Sequence, residues 1–509
     1  MPAELPPLIA SLLDPARYPD PAERVELVET HASWLLLAGD YAYKVKKPLT
    51  LPFLDYGTLD KRRACCEAEL QLNRRFAADL YLGVVPITGQ ADDPRIGGSG
   101  PAIEFAVRMR RFVEAGRADR LCARRQLRRE QVSQLAQTIA DFHEQARQAP
   151  IGSPWGDPGQ VLAPVSENFD ELRDLLAEPD EQRRLARLDE WTNAESGRLQ
   201  AVFAERKATG RIRECHGDLH LGNIVLVDGR FMLFDCIEFN EALRWIDVAS
   251  EIAFTYVDLL DHDQPGFACW LLNEWLASSG DYPAARVLRF YAVYRALVRA
   301  KVAAIRSTQR ADDAAIARQY LALAERLVAP PSPQLIITHG VAGCGKSRAS
   351  RRLLLTDQAA ATIRLRSDVE RKRLFGLSAA SGSGSPINGG IYAPEASELT
   401  YRRLRGLAAE LLDAKWSVIV DAAFLERSRR DDFRALASET GVAFRIVAPQ
   451  ATRAQLRARV QGRLARRRDA SEATLAVLER QLAHVERLSA DERSCLIDPS
   501  RPPDVPRGE

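Results

Sequence analysis

The sequence predicts two successive domains, an α+β domain to about residue 328 and an α/β domain with a parallel sheet from residue 334. Three observations predict it. Apolar stretches flank Asp228-Gly229, the signature of a two-residue β-hairpin turn inside a mostly helical region. Ala329-Pro-Pro-Ser-Pro333 is a stiff linker, since proline ends a helix and fixes the connection. Beyond it, Leu335–Thr338, a glycine-rich loop and a helix begin an alternation of strands and helices, the pattern of a parallel sheet.

Composition narrows the class. The chain has 509 residues, enough for two to four folding units, and at that size neither disulfides nor metal are needed to fold. Hydrophobic residues make up 46% and charged residues 28%, which excludes whole-chain disorder. Lys+Arg 71 against Asp+Glu 69 leaves +2, so no global charge calls for nucleic acid. No apolar run reaches the roughly 18 residues of a membrane span, and the N-terminus lacks the regions of a signal peptide. Eight scattered cysteines without a C-x-x-C pair fit reduced thiols, so a cytoplasmic location is expected. Lysine is scarce, with 9 among the 71 basic residues, yet Lys44, Lys46 and Lys47 cluster.

In chain order, a hairpin is expected from Ser33–Leu37 through Gly39-Asp40 to Tyr41–Val45. A helix follows from Asp60 to about Arg75, then a strand at Ile103–Met109. From Gln126 the pattern is helical (Val132, Leu135, Ile139, Phe142) as far as Leu327, broken only at 213–240. After the linker, strands are expected at Thr362–Leu365, Ser417–Val420 and Phe444–Val447. Leu377–Gly390 is expected to be a mobile loop or lid, and Arg501–Glu509 a frayed tail.

The break holds the first cluster of chemistry. Ile224–Val227 and Phe231–Phe234 pair across Asp228-Gly229, and in that register Asn223 lies beside Phe234 and next to Asp235. Asp218, five residues before Asn223, can sit over the same point from the preceding loop. An amide and a carboxylate can hold Mg²⁺ while a second carboxylate orients a hydroxyl, the parts phosphoryl transfer requires.

His216-Gly-Asp-Leu-His-Leu-Gly-Asn223, then Asp235 with Glu238-Phe239, resembles the aminoglycoside phosphotransferase and choline kinase family, as does Ala140-Asp-Phe-His143 before it. The resemblance implies a two-lobed protein-kinase-like fold, with a kinase-like N-lobe over 1–120 and a helical C-lobe over 121–328. It implies Asp218 as catalytic base, Asn223 and Asp235 as Mg²⁺ ligands, His216 bracing the loop and Asp247 supporting it. It also implies a nucleotide-binding lysine paired with a helix glutamate. Lys44 sits where that lysine belongs, with Lys46 of the same strand parity still open; Glu67 and Glu69 are the partners on offer, Glu69 preferred. No Gly-x-Gly loop is present; Glu29-Thr30-His31 and Ser33 occupy that turn.

The second cluster lies in the domain expected over 334–500, after the linker 329–333 and before the tail 501–509. Gly340-Val-Ala-Gly343-Cys344-Gly345-Lys346-Ser347 fits G-x-x-x-x-G-K-S between a strand and a helix, the context of a P-loop. Backbone amides there wrap phosphates, Lys346 reaches β/γ oxygens and the Ser347 hydroxyl reaches Mg²⁺. Asp421 ends a strand in the manner of a Walker B acid. Asp368 and Arg371 resemble the Asp-x-x-Arg of polynucleotide kinases and zeta-toxin-like kinases, which implies a base and a charge clamp. Arg459 and Arg463, four apart in an arginine-rich helix, resemble the lid arginines of such kinases.

Together the two parts resemble bacterial bifunctional proteins that fuse an aminoglycoside phosphotransferase-like domain to a P-loop kinase. That implies ATP and Mg²⁺ at two chemically independent sites, with small-molecule hydroxyls as acceptors, no membrane, and nucleic acid disfavoured by the near-neutral charge. A nucleotide-sensing protein with one degenerate domain, or a nucleic-acid 5′-hydroxyl kinase, is the alternative. Oligomeric state and acceptor identity are not encoded in any motif.

Overall fold

A computed structural model describes residues 5–51, 54–307, 313–379, 381, 389–466 and 472–498. Most of the expected loop at 377–390 and the whole tail 501–509 lie outside the described residues. The chain divides into two compact units: Met1–Leu127 with Gln145–Val161 and Ala204–Thr255, and Arg128–Glu144 with Leu162–Phe203 and Tyr256–Glu509.

In the first unit, β1 (Val25–Glu29), β2 (Ser33–Ala38) and β3 (Tyr41–Lys46) form an antiparallel meander. The β2–β3 turn is the expected one: Gly39 has φ 55°, and a Cβ there would lie 2.7 Å from the Pro21 carbonyl oxygen, so only glycine fits. β4 (Thr50–Leu51) and β5 (Leu54–Asp55) make a small ladder. The helix Leu59–Ala77 follows, capped by Thr58, whose hydroxyl accepts from the Lys61 amide. Arg62, Cys66, Glu69, Asn73 and Ala77 recur every three or four residues and form its buried face. β6 (Tyr81–Gly89), β7 (Pro94–Ile96) and β8 (Ala102–Arg110) complete a six-stranded sheet in the order β1-β2-β3-β8-β6-β7. One core of this sheet gathers Trp34, Leu36, Tyr43, Val45 and Ile87; a second joins Cys66, Tyr81 and Val107 to Val225.

That Val225 belongs to the segment beyond residue 204. There β9 (Ile212–Glu214) leads into the loop 215–223, and β10 (Ile224–Val227) pairs with β11 (Arg230–Leu233) in the expected register, Ile224 opposite Leu233. Asp228 and Gly229 both take positive φ, 49° and 79°, as a two-residue turn of this hand requires. β12 (Trp245–Asp247) returns antiparallel to β9.

The second unit combines helices with the C-terminal sheet. β13 (Gln334–Thr338), β14 (Thr362–Arg366), β15 (Ser417–Asp421) and β16 (Ala443–Val447) are all parallel, in the order β14-β15-β13-β16. The proline linker breaks the secondary structure but not the packing. Helix Pro265–Ser279, which precedes the linker, belongs to the same unit and meets edge strand β14 through Asn273.

Candidate functional site

The first site forms where β3, the buried face of helix Leu59–Ala77 and the 215–238 segment meet. Lys44 Nζ lies 2.9 Å from Glu69 Oε1 and also pairs with the Asp235 carboxylate. Glu69 is completely buried, whereas Glu67 is on the outer face and pairs with Arg63, so the helix period selects Glu69. Lys46 shares that partner: its Nζ is 2.7 Å from Glu69 Oε2 and pairs with Glu238, which Tyr56 also contacts. A chain of alternating charge therefore runs Asp235, Lys44, Glu69, Lys46, Glu238, open to solvent at its Asp235 end and buried from Glu69 to Glu238. Burial alone depresses an ammonium, but Asp235, Glu69 and Glu238 outweigh it and hold Lys44 well above its ordinary pKa. Burial likewise pushes Glu69 up, yet Lys44 and Lys46 prevail and keep it below the usual carboxylate range.

The loop 215–223 is held from several sides. His216 Nε2 meets the Phe234 carbonyl oxygen at 2.8 Å, and the ring stacks on Phe76 with centroids 5.5 Å apart. Burial lowers His216 to about 4, so it is neutral at pH 7 and its Nδ1 accepts from the Asp218 amide at 3.3 Å. Gly217 takes φ 89°, where a Cβ would stand 2.6 Å from the Leu243 carbonyl oxygen. Asn223 Nδ2 donates to Asp218 twice, to its carbonyl oxygen at 2.9 Å and to Oδ2 at 3.1 Å. Asn223 thus presents its amide oxygen as its remaining ligand atom. Asp235 sits at φ 65° with its amide donating to the Tyr81 hydroxyl at 3.0 Å, and its carboxylate is 45% exposed, open to a ligand. The set is all oxygen, as Mg²⁺ prefers.

Asp247 does something other than hold the loop. Its carboxylate takes the Arg206 guanidinium, 2.7 Å from Nη2 to Oδ1, and the Ala249 amide at 2.8 Å. The loop amides go instead to Glu251, which accepts from His216 N at 2.5 Å and Gly217 N at 2.9 Å. In the turn that stands where a Gly-x-Gly loop was not found, the Thr30 hydroxyl and Ser33 bond each other at 2.9 Å.

The second site is the loop between β13 and helix Lys346–Thr356. Gly340, Gly343 and Gly345 take φ values of 135°, 82° and 111°, open only to glycine. A Cβ on Gly340 would lie 2.8 Å from Cys344 Sγ, which is itself buried in the loop. Lys346 Nζ folds over the loop, 2.8 Å from the Gly340 carbonyl oxygen and 3.0 Å from that of Val341. Arg459 reaches the same loop, donating to the Gly343 carbonyl at 3.2 Å. Arg463 falls on the same helix, but its side chain lies outside the described residues. Asp421 ends β15 and accepts from Ser350, one turn beyond Ser347, at 2.9 Å.

Asp368 opens the helix after β14 and makes no hydrogen bond or ion pair among the described residues. Burial and then the Asp368 charge push the Tyr392 phenol up. Arg371 is committed elsewhere: Nη1 donates to Ile391 O and Ser397 Oγ, both at 3.0 Å, and the guanidinium lies over Tyr392 at 5.3 Å.

Comparison with known proteins matches two successive regions of the chain. Residues 60–290 match the phosphotransferase enzyme family, and residues 335–488 match an AAA domain family. Uncharacterized proteins of Mycobacterium tuberculosis and Mycobacterium bovis are 32% identical over 421 residues, covering 82% of this chain and 82% of their own. The chain belongs to this two-part family. It is an ATP-dependent phosphotransferase with a kinase-like α+β region ahead of a P-loop α/β region. Among solved structures, a choline kinase from Cryptosporidium parvum is similar over 63% of this chain and 94% of its own, at 9% identity and TM-score 0.41. A microcompartment-associated aminopropanol kinase is similar over 63% of this chain and 97% of its own, at 15% identity and TM-score 0.40.

In the phosphotransferase, Lys44, Glu69, Asp218, Asn223, Asp235 and His216 converge in one unit, and Lys346, Ser347, Asp421 and Arg459 in the other. Sequence reasoning missed Glu251, Tyr56 and Gln481, and it quoted Glu238 in the motif without giving it a partner. Gln481 Oε1 accepts from the P-loop amide of Ala342 at 2.7 Å, and nothing local in its helix Leu475–His484 signals that. Glu251 left a faint signal, an acid four residues after Asp247 at the start of a helix.

Proposed function

We propose that the chain carries two separate Mg·ATP sites, each transferring the γ-phosphate to a hydroxyl of a small molecule. The observation that supports this most is that each unit holds its own lysine and its own oxygen-bearing groups: Lys44 with Asp235, Asp218 and Asn223 in one, and Lys346 with Ser347, Ser350 and Asp421 in the other. At the first site, Lys44, held by Glu69, binds α/β-phosphate oxygens. The acceptor hydroxyl gives its proton to Asp218 as its oxygen bonds to the γ-phosphorus and ADP leaves with the bridging oxygen. Asn223 keeps the Asp218 carboxylate in place throughout. At the second, the P-loop amides with Lys346 hold the phosphates, Arg459 approaches from the lid side, and Asp368 takes the acceptor proton.

Asn223 with Asp235, and Ser347 with Asp421, would hold Mg²⁺, which when bound neutralises charge on the phosphate oxygens. Arg371 orders the Ile391–Ser397 wall of the acceptor region rather than clamping phosphate. The cytoplasm is the compartment we propose, since all eight cysteines are free thiols. No helix among the described residues is long and apolar enough to cross a membrane. A library of hydroxyl compounds, screened for ATP consumption with the wild type, Asp218→Ala and Lys346→Ala, tests the proposal. Each accepted compound should lose turnover with one substitution and keep it with the other. Turnover that survives both would overturn it.

A further inference from the structure

Strand β14 is an edge of the parallel sheet, and an edge leaves backbone groups to be satisfied. Asn273 satisfies them. Its Nδ2 donates to the Thr362 carbonyl at 2.8 Å and its Oδ1 accepts from the Arg364 amide at 2.6 Å, so the carboxamide stands where a neighbouring strand's peptide would. The next residue, Glu274, lies 3.5 Å from Arg364 Nη2, and Trp270 on the same helix face lies under the guanidinium at 5.3 Å. Arg364 is 4% exposed. Its other branch, Nη1, is 3.4 Å from Ser350 Oγ, which donates to Asp421 at 2.9 Å. A polar path therefore runs Glu274, Arg364, Ser350, Asp421. It begins on a helix inside the matched region 60–290 and ends at the acid of the P-loop site.

A buried guanidinium requires compensating charge. Glu274 and Asp421 share that task, so a loss of Glu274 charge throws the demand onto Asp421 and draws it from any cation beside Ser347. We propose that Asn273 and Glu274 are positioning residues for the P-loop reaction, acting through Arg364 and Ser350 on the Asp421 carboxylate. The second site is then completed by a helix that precedes the linker and lies outside the matched region 335–488. The proposal rests on the reading of Asp421 as a group that serves Mg²⁺.

The test uses the full chain with Lys44→Met, which removes the first site's phosphate lysine, and measures ADP binding by calorimetry with and without Mg²⁺. Glu274→Gln should leave metal-free ADP affinity unchanged and cut the gain from Mg²⁺ by about tenfold, the usual scale for a group supporting a metal ligand. Glu274→Asp should restore most of the gain. An unchanged Mg²⁺ gain in Glu274→Gln, or an equal loss with and without metal, overturns the proposal. Asp421→Asn with a full Mg²⁺ gain would instead overturn the reading of Asp421. Wild-type hydrogen exchange needs no variant: saturating Mg·ADP should slow exchange in Thr362–Arg366 and Pro265–Ser279 as well as in Lys346–Thr356. Slowing confined to Lys346–Thr356 overturns the coupling, and no slowing there overturns the P-loop reading.

Discussion

Glu69→Gln removes one buried charge from the middle of the chain that links Asp235 to Glu238. Breaking a buried ion pair costs about 3–5 kcal/mol, because the partner charge stays behind in low dielectric. Glu69 serves two lysines, at 2.9 Å and 2.7 Å. Each keeps one other carboxylate, Asp235 for Lys44 and Glu238 for Lys46. That places the cost near the lower bound, about 3 kcal/mol, or roughly a hundredfold in the local opening equilibrium. The pH dependence has a definite sign. Glu69 is held below its ordinary pKa, so its contribution is present above the usual carboxylate range and lost as pH falls through the lowered value. Lys44 is held above its own, so its contribution is present below the usual lysine value and lost only as pH rises through the raised one. The difference between wild type and variant is widest between those limits. Hydrogen exchange of Tyr41–Lys46 and Leu59–Ala77 at pH 7 reads it: exchange should accelerate by tens to a hundredfold, and ATP affinity at the first site should fall with it. Acceleration below about fivefold, under 1 kcal/mol, would refute the claim that Glu69 joins the two lysines.

Other expectations follow from single groups. His216, buried neutral at about 4 against an ordinary 6.5, costs the fold about 3 kcal/mol as pH drops from 6.5 to 4, because only the unfolded chain takes up the proton there; His216→Asn should flatten that part of an acid-unfolding profile relative to wild type. Gly217→Ala should destabilise the loop by roughly 1–3 kcal/mol through its positive φ and the Leu243 carbonyl, read as faster exchange in Cys215–Asn223 and lower turnover at the first site. Asp218→Ala should lower first-site turnover by about 10²–10⁴-fold with ATP affinity nearly intact, since a base acts in the transition state; equal losses in both would assign Asp218 to binding.

What the sequence made legible followed short-range rules. The Asp228-Gly229 turn fixes the register that puts Asn223 beside Phe234, and the glycines of 340–345 announce their own backbone. Glu69 was separable from Glu67 because Arg62, Cys66, Glu69 and Asn73 share one helix face. Lys44 and Lys46 were not separable, since strand parity gives them the same side and both meet Glu69. Only the tertiary partners differ, Asp235 for one and Glu238 for the other. The assignment of loop support to Asp247 failed for a related reason. β12 pairs with β9 so that Asp247 faces Arg206, and the helix that follows brings Glu251 one turn later under the loop amides. Gln481 and Asn273 act across 139 and 91 positions of sequence, where no local pattern speaks.

The central claim is two nucleotide sites per chain, each with its own lysine. Calorimetric titration of the full chain with Mg·ADP should give two sites for the wild type and one each for Lys44→Met and Lys346→Ala. The double variant should bind none. A single site in the wild type, or loss of both sites from either single substitution, would contradict it.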